Sequence, residues 1–317
     1  MNPEVTVDVL GEPYTARVIE LGISHGERTV ATLVRLMAAT HSPRGAVLYV
    51  HGWSDYFFQT HVAERFAELG FDFYGLDLRR YGRSLLPGQL PAYCTDVAEY
   101  FEDIDAAIEL IKADGHRRLA VMGHSTGGLV TPLWANARRG HDMLGALILN
   151  SPWLELAKPW VFRTAGTRLL DPLGRLRPTQ VIPAGVGDLY GKSISSTAHG
   201  EWDFDLTWKP IPGFPVYAGW FRAIRRAHAQ VHRGLDVDVP TLLMHSDKSL
   251  FTAHFSEAAL RADTVLNVRD MITYGARLGL KVHQVEIADG MHDLFLSAKP
   301  VRDKALRTAT DWLDTRL

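Results

Sequence analysis

The sequence lacks the residues from which disulfides and cysteine-rich metal sites are built. Cys94 is the single cysteine among 317 residues, so an internal disulfide cannot form, which is typical of a reducing compartment. No uninterrupted apolar run approaches the roughly 18 residues that span a bilayer, and the first 20 residues contain no stretch resembling a signal peptide. We therefore expect a soluble, cytoplasmic protein with no integral membrane segment.

An excess of charge of either sign is also absent. The 34 basic and 36 acidic residues leave a net charge of −2, which provides no strong field for holding nucleic acid or an anionic membrane. No G-x-G-x-x-G motif follows a predicted strand, and there is no phosphate loop, so the sequence predicts no cofactor. With 46% hydrophobic and 22% charged residues, the composition is that of a globular domain and excludes a disordered or collagen-like chain.

Hydrophobic patterning predicts a mostly parallel sheet alternating with helices. Alternating apolar residues in the first forty positions indicate antiparallel strands. Continuous apolar runs then follow, and such runs suit parallel strands that are covered on both faces. The predicted buried strands are residues 46–50, 71–76, 119–122 and 146–149, and the helical patterns between them are residues 61–69, 97–111 and 127–139. This order favours a doubly wound α/β fold.

The pattern is interrupted in the middle of the chain. Residues 153–235 contain many glycines, prolines and tryptophans and no clean strand, whereas residues 236–317 resume the alternation. We predict a core formed by residues 1–152 and 236–317, with residues 153–235 inserted as a cap. A cap in this position would lie over the carboxyl edge of the sheet, where α/β proteins bind their ligands.

A serine nucleophile is predicted between the strand ending at 122 and the helix that follows it. Residues 123–127 read Gly-His-Ser-Thr-Gly, a G-x-S-x-G motif in which the glycines leave room for a sharp strand-to-helix turn that presents the hydroxyl of Ser125. The start of the following helix directs backbone N–H groups and a positive dipole end at developing negative charge.

An oxyanion hole needs two N–H donors, and the sequence suggests one on each of two loops. The residue after the nucleophile, Thr126, supplies the first. The loop at 51–55, His-Gly-Trp-Ser-Asp, directly follows the strand 46–50, and we predict that the amide of Trp53 is the second donor. A plain glycine turn is the alternative interpretation of this loop. The polar segment 77–84 after the next strand is expected to brace the site.

These motifs resemble those of the α/β-hydrolases. H-G-x-x after one strand, D-x-R-x-x-G-x-S after the next and G-H-S-x-G-G after the third are most similar to the group containing monoacylglycerol lipases and serine aminopeptidases. The resemblance covers nearly the whole chain except the cap. It implies an α/β-hydrolase fold with a mostly parallel, doubly wound sheet and a Ser-Asp-His catalytic triad.

The base of such a triad is expected in a loop after the last strand. His292 lies in the loop that follows the predicted strand 281–287, and it can take the proton of the serine and return it to the leaving group. His124, inside the nucleophile motif, is a poor rival because the turn holds it in place.

The acid is less sharply defined by the sequence. Asp247 lies just after the strand predicted at 239–244, but the position where the family pattern has its acid is Ser249. Asp263, after an apparent insertion at 250–262, matches the family's spacing to the histidine and is our choice, although an N-cap of the helix predicted at 265–278 would also explain it. Asp247 remains the alternative, and Asp293 is badly placed because it is adjacent to His292.

A zinc site is not predicted. His228 and His232 are four residues apart, as in H-E-x-x-H, but Ala229 occupies the position of the glutamate. The sequence thus predicts a serine hydrolase that cleaves a small carboxylic ester, with an apolar acyl group, through an acyl-enzyme. Amide or peptide hydrolysis and acyl transfer by the same residues are the alternatives, and a non-enzymatic binding module is disfavoured because the serine, acid and histidine are all present.

Overall fold

The computed structural model describes residues 3–40, 42–157, 167–185 and 187–317. The strands are β1 (Val5–Val7), β2 (Thr15–Ser24), β3 (Glu27–Leu36), β4 (Gly45–Val50), β5 (Phe71–Asp77), β6 (Leu119–His124), β7 (Leu144–Asn150), β8 (Val181–Ile182), β9 (Val216–Tyr217), β10 (Thr241–Ser246) and β11 (Val282–Ile287). The helices are α1 (Thr60–Glu68), α2 (Glu99–Ala113), α3 (Thr126–Ala137), α4 (Thr167–Leu176), α5 (Leu189–Ile194), α6 (Ala218–Arg233), α7 (Val268–Gly275) and α8 (Lys299–Asp314).

Within these ranges, nine strands form one sheet in the order β1-β2-β3-β5-β4-β6-β7-β10-β11. The N-terminal strands β1, β2 and β3 pair antiparallel, and β3 joins β5 antiparallel. Across the sheet from β5 through β4, β6, β7 and β10 to β11, every pair of neighbouring strands is parallel. The predicted antiparallel start and parallel continuation are therefore confirmed.

Helices cover both faces of the parallel strands. Every residue of β4, β5 and β6 is buried, which explains why these strands appear in the sequence as continuous apolar runs. Side chains of α2, α3 and α6 join one hydrophobic cluster of the core, and those of α1 and α8 join the other. This layering directs the carboxyl ends of β4, β6, β7 and β10 towards one edge of the sheet.

The segment predicted as a cap leaves the sheet between two neighbouring strands. β7 and β10 are paired directly, and the chain between them contains α4, α5, α6 and the short antiparallel pair β8 and β9. Residues 158–166 and 186 of this segment lie outside the described residues. Among the described residues, no helix is both long and apolar enough to cross a membrane.

Candidate active site

Ser125 lies in a strained turn between β6 and α3. Its backbone has φ 52° and ψ −111°, in the left-handed region that residues other than glycine seldom adopt. The chain passes itself so closely here that a Cβ at Gly123 would lie 2.5 Å from the carbonyl oxygen of Gly127, and a Cβ at Gly127 would overlap the carbonyl oxygen of Val50. The two glycines of the motif are therefore required by close packing of the backbone.

Replacing Gly127 by alanine is expected to damage both the fold and the site. The new methyl group would overlap rigid backbone atoms of Val50 and His51, and overpacking of this kind costs about 1–3 kcal/mol. Urea denaturation of Gly127→Ala should give a lower midpoint than the wild type, together with a lower kcat for ester substrates. An unchanged midpoint would contradict this account of the turn.

Three side chains from distant parts of the sequence form a chain of hydrogen bonds. Nε2 of His292 lies 3.0 Å from Oγ of Ser125, and Nδ1 of His292 lies 2.9 Å from Oδ2 of Asp263. A carboxylate only accepts, so Nδ1 carries the proton and Nε2 is free to accept the hydroxyl proton of the serine. Ser125 is 8% exposed, His292 3% and Asp263 0%, so these hydrogen bonds are shielded from water.

Asp263 reaches the histidine because the chain loops out after β10 and returns. A parallel bridge pairs Ser249 with Asp263, and the amide of Leu250 donates to the carbonyl oxygen of Asp263 over 2.9 Å. The loop at 250–262 thus brings Asp263 beside Ser249, the position where the family pattern has its acid.

The helix after Asp263 starts later than the sequence indicated. Oδ1 of Asp263 accepts from the amides of Val265 and Leu266, 2.8 and 2.7 Å away, in a turn. α7 begins only at Val268, and its N-cap is Asn267, whose side chain accepts from the amide of Arg269. The predicted helical start at 265 and the N-cap interpretation of Asp263 are therefore wrong, because the carboxylate closes a turn ahead of the helix.

The other two aspartates bind different groups. Oδ1 of Asp247 accepts from the amide of Asp289, and its Oδ2 lies 3.1 Å from Nζ of Lys248. Asp293 accepts from the side-chain amides of Asn150 and Gln59, at 2.7 and 3.2 Å. Hydrogen bonds therefore connect the imidazole of His292 to Asp263, while Asp293 holds the loop that carries the imidazole.

The loop after β4 lies directly against the nucleophile. A Cβ at Gly52 would be 3.1 Å from Cβ of Ser125 and 3.3 Å from Cδ2 of His124. Thr126 is the first residue of α3, where helix N–H groups have no partner within the helix. Trp53 and Thr126 therefore belong to two backbone segments that flank Ser125. The segment 77–84 braces the first of these, since Oδ1 of Asp77 accepts from the amide of Phe57.

Asn150, at the end of β7, links the nucleophile turn to the histidine loop, and we did not identify it from the sequence. Its carbonyl oxygen accepts from the amide of Ser125 over 3.0 Å and lies 3.2 Å from Nδ1 of His124. Its side chain donates to Asp293 and accepts from the amide of Leu294. A polar residue at the carboxyl end of a buried parallel strand was the signal that could have revealed it.

Ring nitrogens of three further histidines lie against backbone carbonyl oxygens. Burial lowers the pKa of His124, so this ring is neutral near pH 7. Its Nδ1 lies against the carbonyl oxygen of Asn150, whereas the ring in contact with the hydroxyl of Ser125 is that of His292. In the cap, Nε2 of His228 lies 2.9 Å from the carbonyl oxygen of Trp153, and Nε2 of His232 lies 3.0 Å from that of Leu154.

A pocket lies beside the loop at 51–55. Its walls come from that loop and from the segment between β7 and β10, and they are mostly aromatic or aliphatic. They consist of Trp53, Ser54, Tyr190, Gly191, Phe204, Lys209, Pro210, Ile211 and Gly213. The ring of Tyr190 also packs edge-on against His292, with 5.3 Å between the ring centroids. Tyr190 therefore connects the pocket to the hydrogen-bonded chain of Ser125, His292 and Asp263.

Comparison with known proteins gives one family. The model of the family described as serine aminopeptidase S33 matches residues 41–266. A monoacylglycerol lipase of Mycolicibacterium smegmatis is 34% identical over 113 residues, which is 35% of this chain and 38% of that enzyme.

Two solved structures show the same fold. A soluble variant of the monoglyceride lipase of Saccharomyces cerevisiae, bound to a substrate analogue, has a TM-score of 0.71 at 17% identity and covers 99% of this chain and 96% of its own. The monoacylglycerol lipase of Paleococcus ferrophilus has a TM-score of 0.64 at 19% identity and covers 89% and 97%. The sheet and its helices thus have the α/β-hydrolase fold.

Proposed function

This chain belongs to the serine aminopeptidase S33 family of α/β-hydrolases, and from that premise we propose that it hydrolyses carboxylic esters through Ser125, His292 and Asp263. The observation that carries the proposal is the pair of hydrogen bonds made by one imidazole, to the hydroxyl of Ser125 at 3.0 Å and to the carboxylate of Asp263 at 2.9 Å. A nucleophile, a base and a group that orients the base are the minimum that acyl transfer to serine requires.

In the first half-reaction, Oγ of Ser125 attacks the ester carbonyl carbon while Nε2 of His292 takes the hydroxyl proton. The carbonyl oxygen becomes an oxyanion that accepts hydrogen bonds from the amides of Trp53 and Thr126. When the tetrahedral intermediate collapses, His292 gives the proton to the leaving alkoxide. An alcohol departs, and the acyl group remains bonded to Ser125.

In the second half-reaction, water replaces the alcohol. His292 takes one proton from the water, the resulting hydroxide attacks the acyl carbonyl, and the returned proton regenerates the hydroxyl of Ser125 as the carboxylic acid leaves. Asp263, hydrogen-bonded to Nδ1, stabilises the imidazolium that forms in each half-reaction. The site needs no metal or organic cofactor for these steps.

The pocket walls support a substrate with an apolar acyl group. Aromatic and aliphatic side chains predominate around the pocket next to Trp53 and Tyr190, and such surfaces bind hydrocarbon better than water. The relatives named monoacylglycerol lipases support esters of a fatty acid with a small alcohol as the substrate class, so a monoacylglycerol is the natural ester to test first.

A panel of substrates tests this proposal. We expect p-nitrophenyl esters of four to eight carbons to have a kcat/KM at least about tenfold above that of the acetate, since each buried methylene contributes about 0.8 kcal/mol. The panel should include 1-monoacylglycerols and aminoacyl amides. Equal rates for acetate and longer esters would contradict the apolar acyl site.

Amide or peptide hydrolysis is the second candidate, because the family is described by an aminopeptidase activity. The same three residues would serve, and the amine would leave in place of the alcohol. Faster cleavage of an aminoacyl amide than of every ester in the panel would favour this candidate, whereas transfer of the acyl group to an added alcohol would indicate an acyltransferase.

A further inference from the structure

A segment of the cap, residues 204–214, lies along the loop that carries the proposed oxyanion donor, and we call it the cap strap. The amide of Phe214 donates to Oγ of Ser54 over 3.1 Å, and Gly213 lies against the ring of Trp53. The amide of Asp205 donates to the hydroxyl of Tyr56 over 2.8 Å. The strap therefore contacts the loop region at several successive positions.

A buried ion pair lies at the centre of this contact. Nζ of Lys209, in the cap strap, donates to Oδ1 of Asp55 over 2.7 Å, and the two side chains are 8% and 2% exposed. The ammonium also lies 5.7–5.9 Å from the ring centroids of Phe58, Tyr190 and Phe204. These rings favour a cation in this place, so the lysine is held on several sides.

The ionisation of Asp55 depends on Lys209. Burial acts to raise the pKa of Asp55, but the positive charge of Lys209 and its hydrogen bond to the carboxylate outweigh this effect, and the pKa lies below its usual value. Asp55 is therefore ionised at neutral pH. A carboxylate so deeply buried is stable only while a cation faces it.

The carboxylate of Asp55 also lies close to Gly52, within the same loop. The space that a side chain at Gly52 would fill is bordered by Cβ of Ser125, Cδ2 of His124 and Oδ2 of Asp55, the last at 3.7 Å. Trp53 lies between Gly52 and the left-handed residue Ser54, whose φ is 54°. The carboxylate of Asp55 thus lies beside Gly52 and close to the strained residue Ser54, and Lys209 holds this carboxylate from the cap strap.

We propose that Lys209 is a positioning residue of the ester hydrolase, which through its buried contact with Asp55 holds the oxyanion loop so that the Trp53 amide faces the reacting carbonyl. This inference rests on the proposed function and extends it, because a side chain of the cap becomes part of the geometry of catalysis. The cap then does more than enclose the substrate, since displacement of the strap would also loosen one of the two oxyanion donors.

The test compares steady-state kinetics of the full-length wild type, Lys209→Met, Asp55→Asn and the double variant on p-nitrophenyl butyrate. Loss of one oxyanion donor lowers kcat by about 10²–10³, so a loosened donor should lower kcat of each single variant by at least about tenfold, with KM within about twofold. The double variant leaves no buried charge unpaired, so it should be more active than the product of the two single effects predicts.

Arg226→Met is the matched control, because it removes a cation from the exposed face of α6 in the same cap and its side chain is 56% exposed. We expect its kcat to equal that of the wild type. Circular dichroism and melting temperature establish that each variant is folded. Asp55→Asn keeps the volume of the carboxyl, so it tests the same contact should Lys209→Met fail to fold.

The outcomes separate the two proposals. A wild type without turnover overturns the proposed function and this inference together. With an active wild type, an unchanged kcat in Lys209→Met and Asp55→Asn overturns only the role of Lys209. A raised KM with unchanged kcat also overturns it, since Lys209 would then bind substrate directly, as would strictly multiplicative effects in the double variant.

Discussion

Replacing Ser125 by alanine should lower kcat/KM for every ester by more than about 10⁴-fold while leaving the protein folded, because removal of the attacking oxygen leaves only binding and oxyanion contacts. The variant should also resist a fluorophosphonate probe that labels the wild type, and mass spectrometry of the labelled protein should place the adduct on the peptide containing Ser125. We expect the variant to fold because the turn depends on close packing of the backbone, whereas the hydroxyl of Ser125 hydrogen-bonds to His292.

Ser151→Ala is the matched control for this experiment. Ser151 is buried, and its hydroxyl has no hydrogen-bond partner among the described residues, so its removal deletes the same atom from the same region of the protein. The control should retain wild-type turnover and labelling. A Ser125→Ala protein that still hydrolyses esters at the wild-type rate would refute the assignment of Ser125 as the nucleophile. Labelling of another residue would then identify the actual nucleophile.

Exchange of the acid should separate Asp263 from Asp247. In Asp263→Asn, the amide can donate to Nδ1 of His292 and so favour the tautomer whose Nε2 carries a proton, which cannot accept one from Ser125. The corresponding change in a serine protease lowers kcat by about 10⁴-fold, and we expect a loss of similar size here. Asp247→Asn should remain close to wild type, because Asp247 binds the amide of Asp289 and the side chain of Lys248.

Both variants are to be assayed on the same p-nitrophenyl ester, with circular dichroism to establish the fold. The reverse result, in which Asp247→Asn is inactive and Asp263→Asn is nearly normal, would make our assignment wrong. A loss in both variants would indicate that Asp247 supports the loop of His292 through Asp289. The comparison is informative because the two carboxylates follow the same strand, β10.

Strands, their order along the chain and the nucleophile turn could be predicted because each depends on a few neighbouring residues. Continuous apolar runs reveal strands that are buried on both faces, as in β4 and β6, and a motif with two glycines reveals the turn around Ser125. The start of α7 was predicted too early, at 265 instead of Val268, because a capping side chain and a carboxylate that closes a preceding turn produce the same local pattern.

Other features of the site depend on residues far apart in the chain. Asn150 and Asp293 are separated by 143 positions and hydrogen-bond at 2.7 Å, and Lys209 and Asp55 are separated by 154. Neither pair belongs to a motif, since a lysine in the cap sequence is most simply explained as a solvated side chain. The family spacing indicated an insertion at 250–262, but the pairing that brings Asp263 beside Ser249 became visible only in the structure.

The sequence alone determined the fold class, the candidate nucleophile and the candidate base, because backbone sterics and burial restrict which residues can occupy a glycine turn or a covered strand. Only the tertiary structure decided which aspartate meets His292 and which distant residue meets Asp55 in the loop at 51–55. Hydrogen bonds and ion pairs act over about 3 Å, and a distance that short between residues so far apart in the chain is set by the packing of the whole molecule.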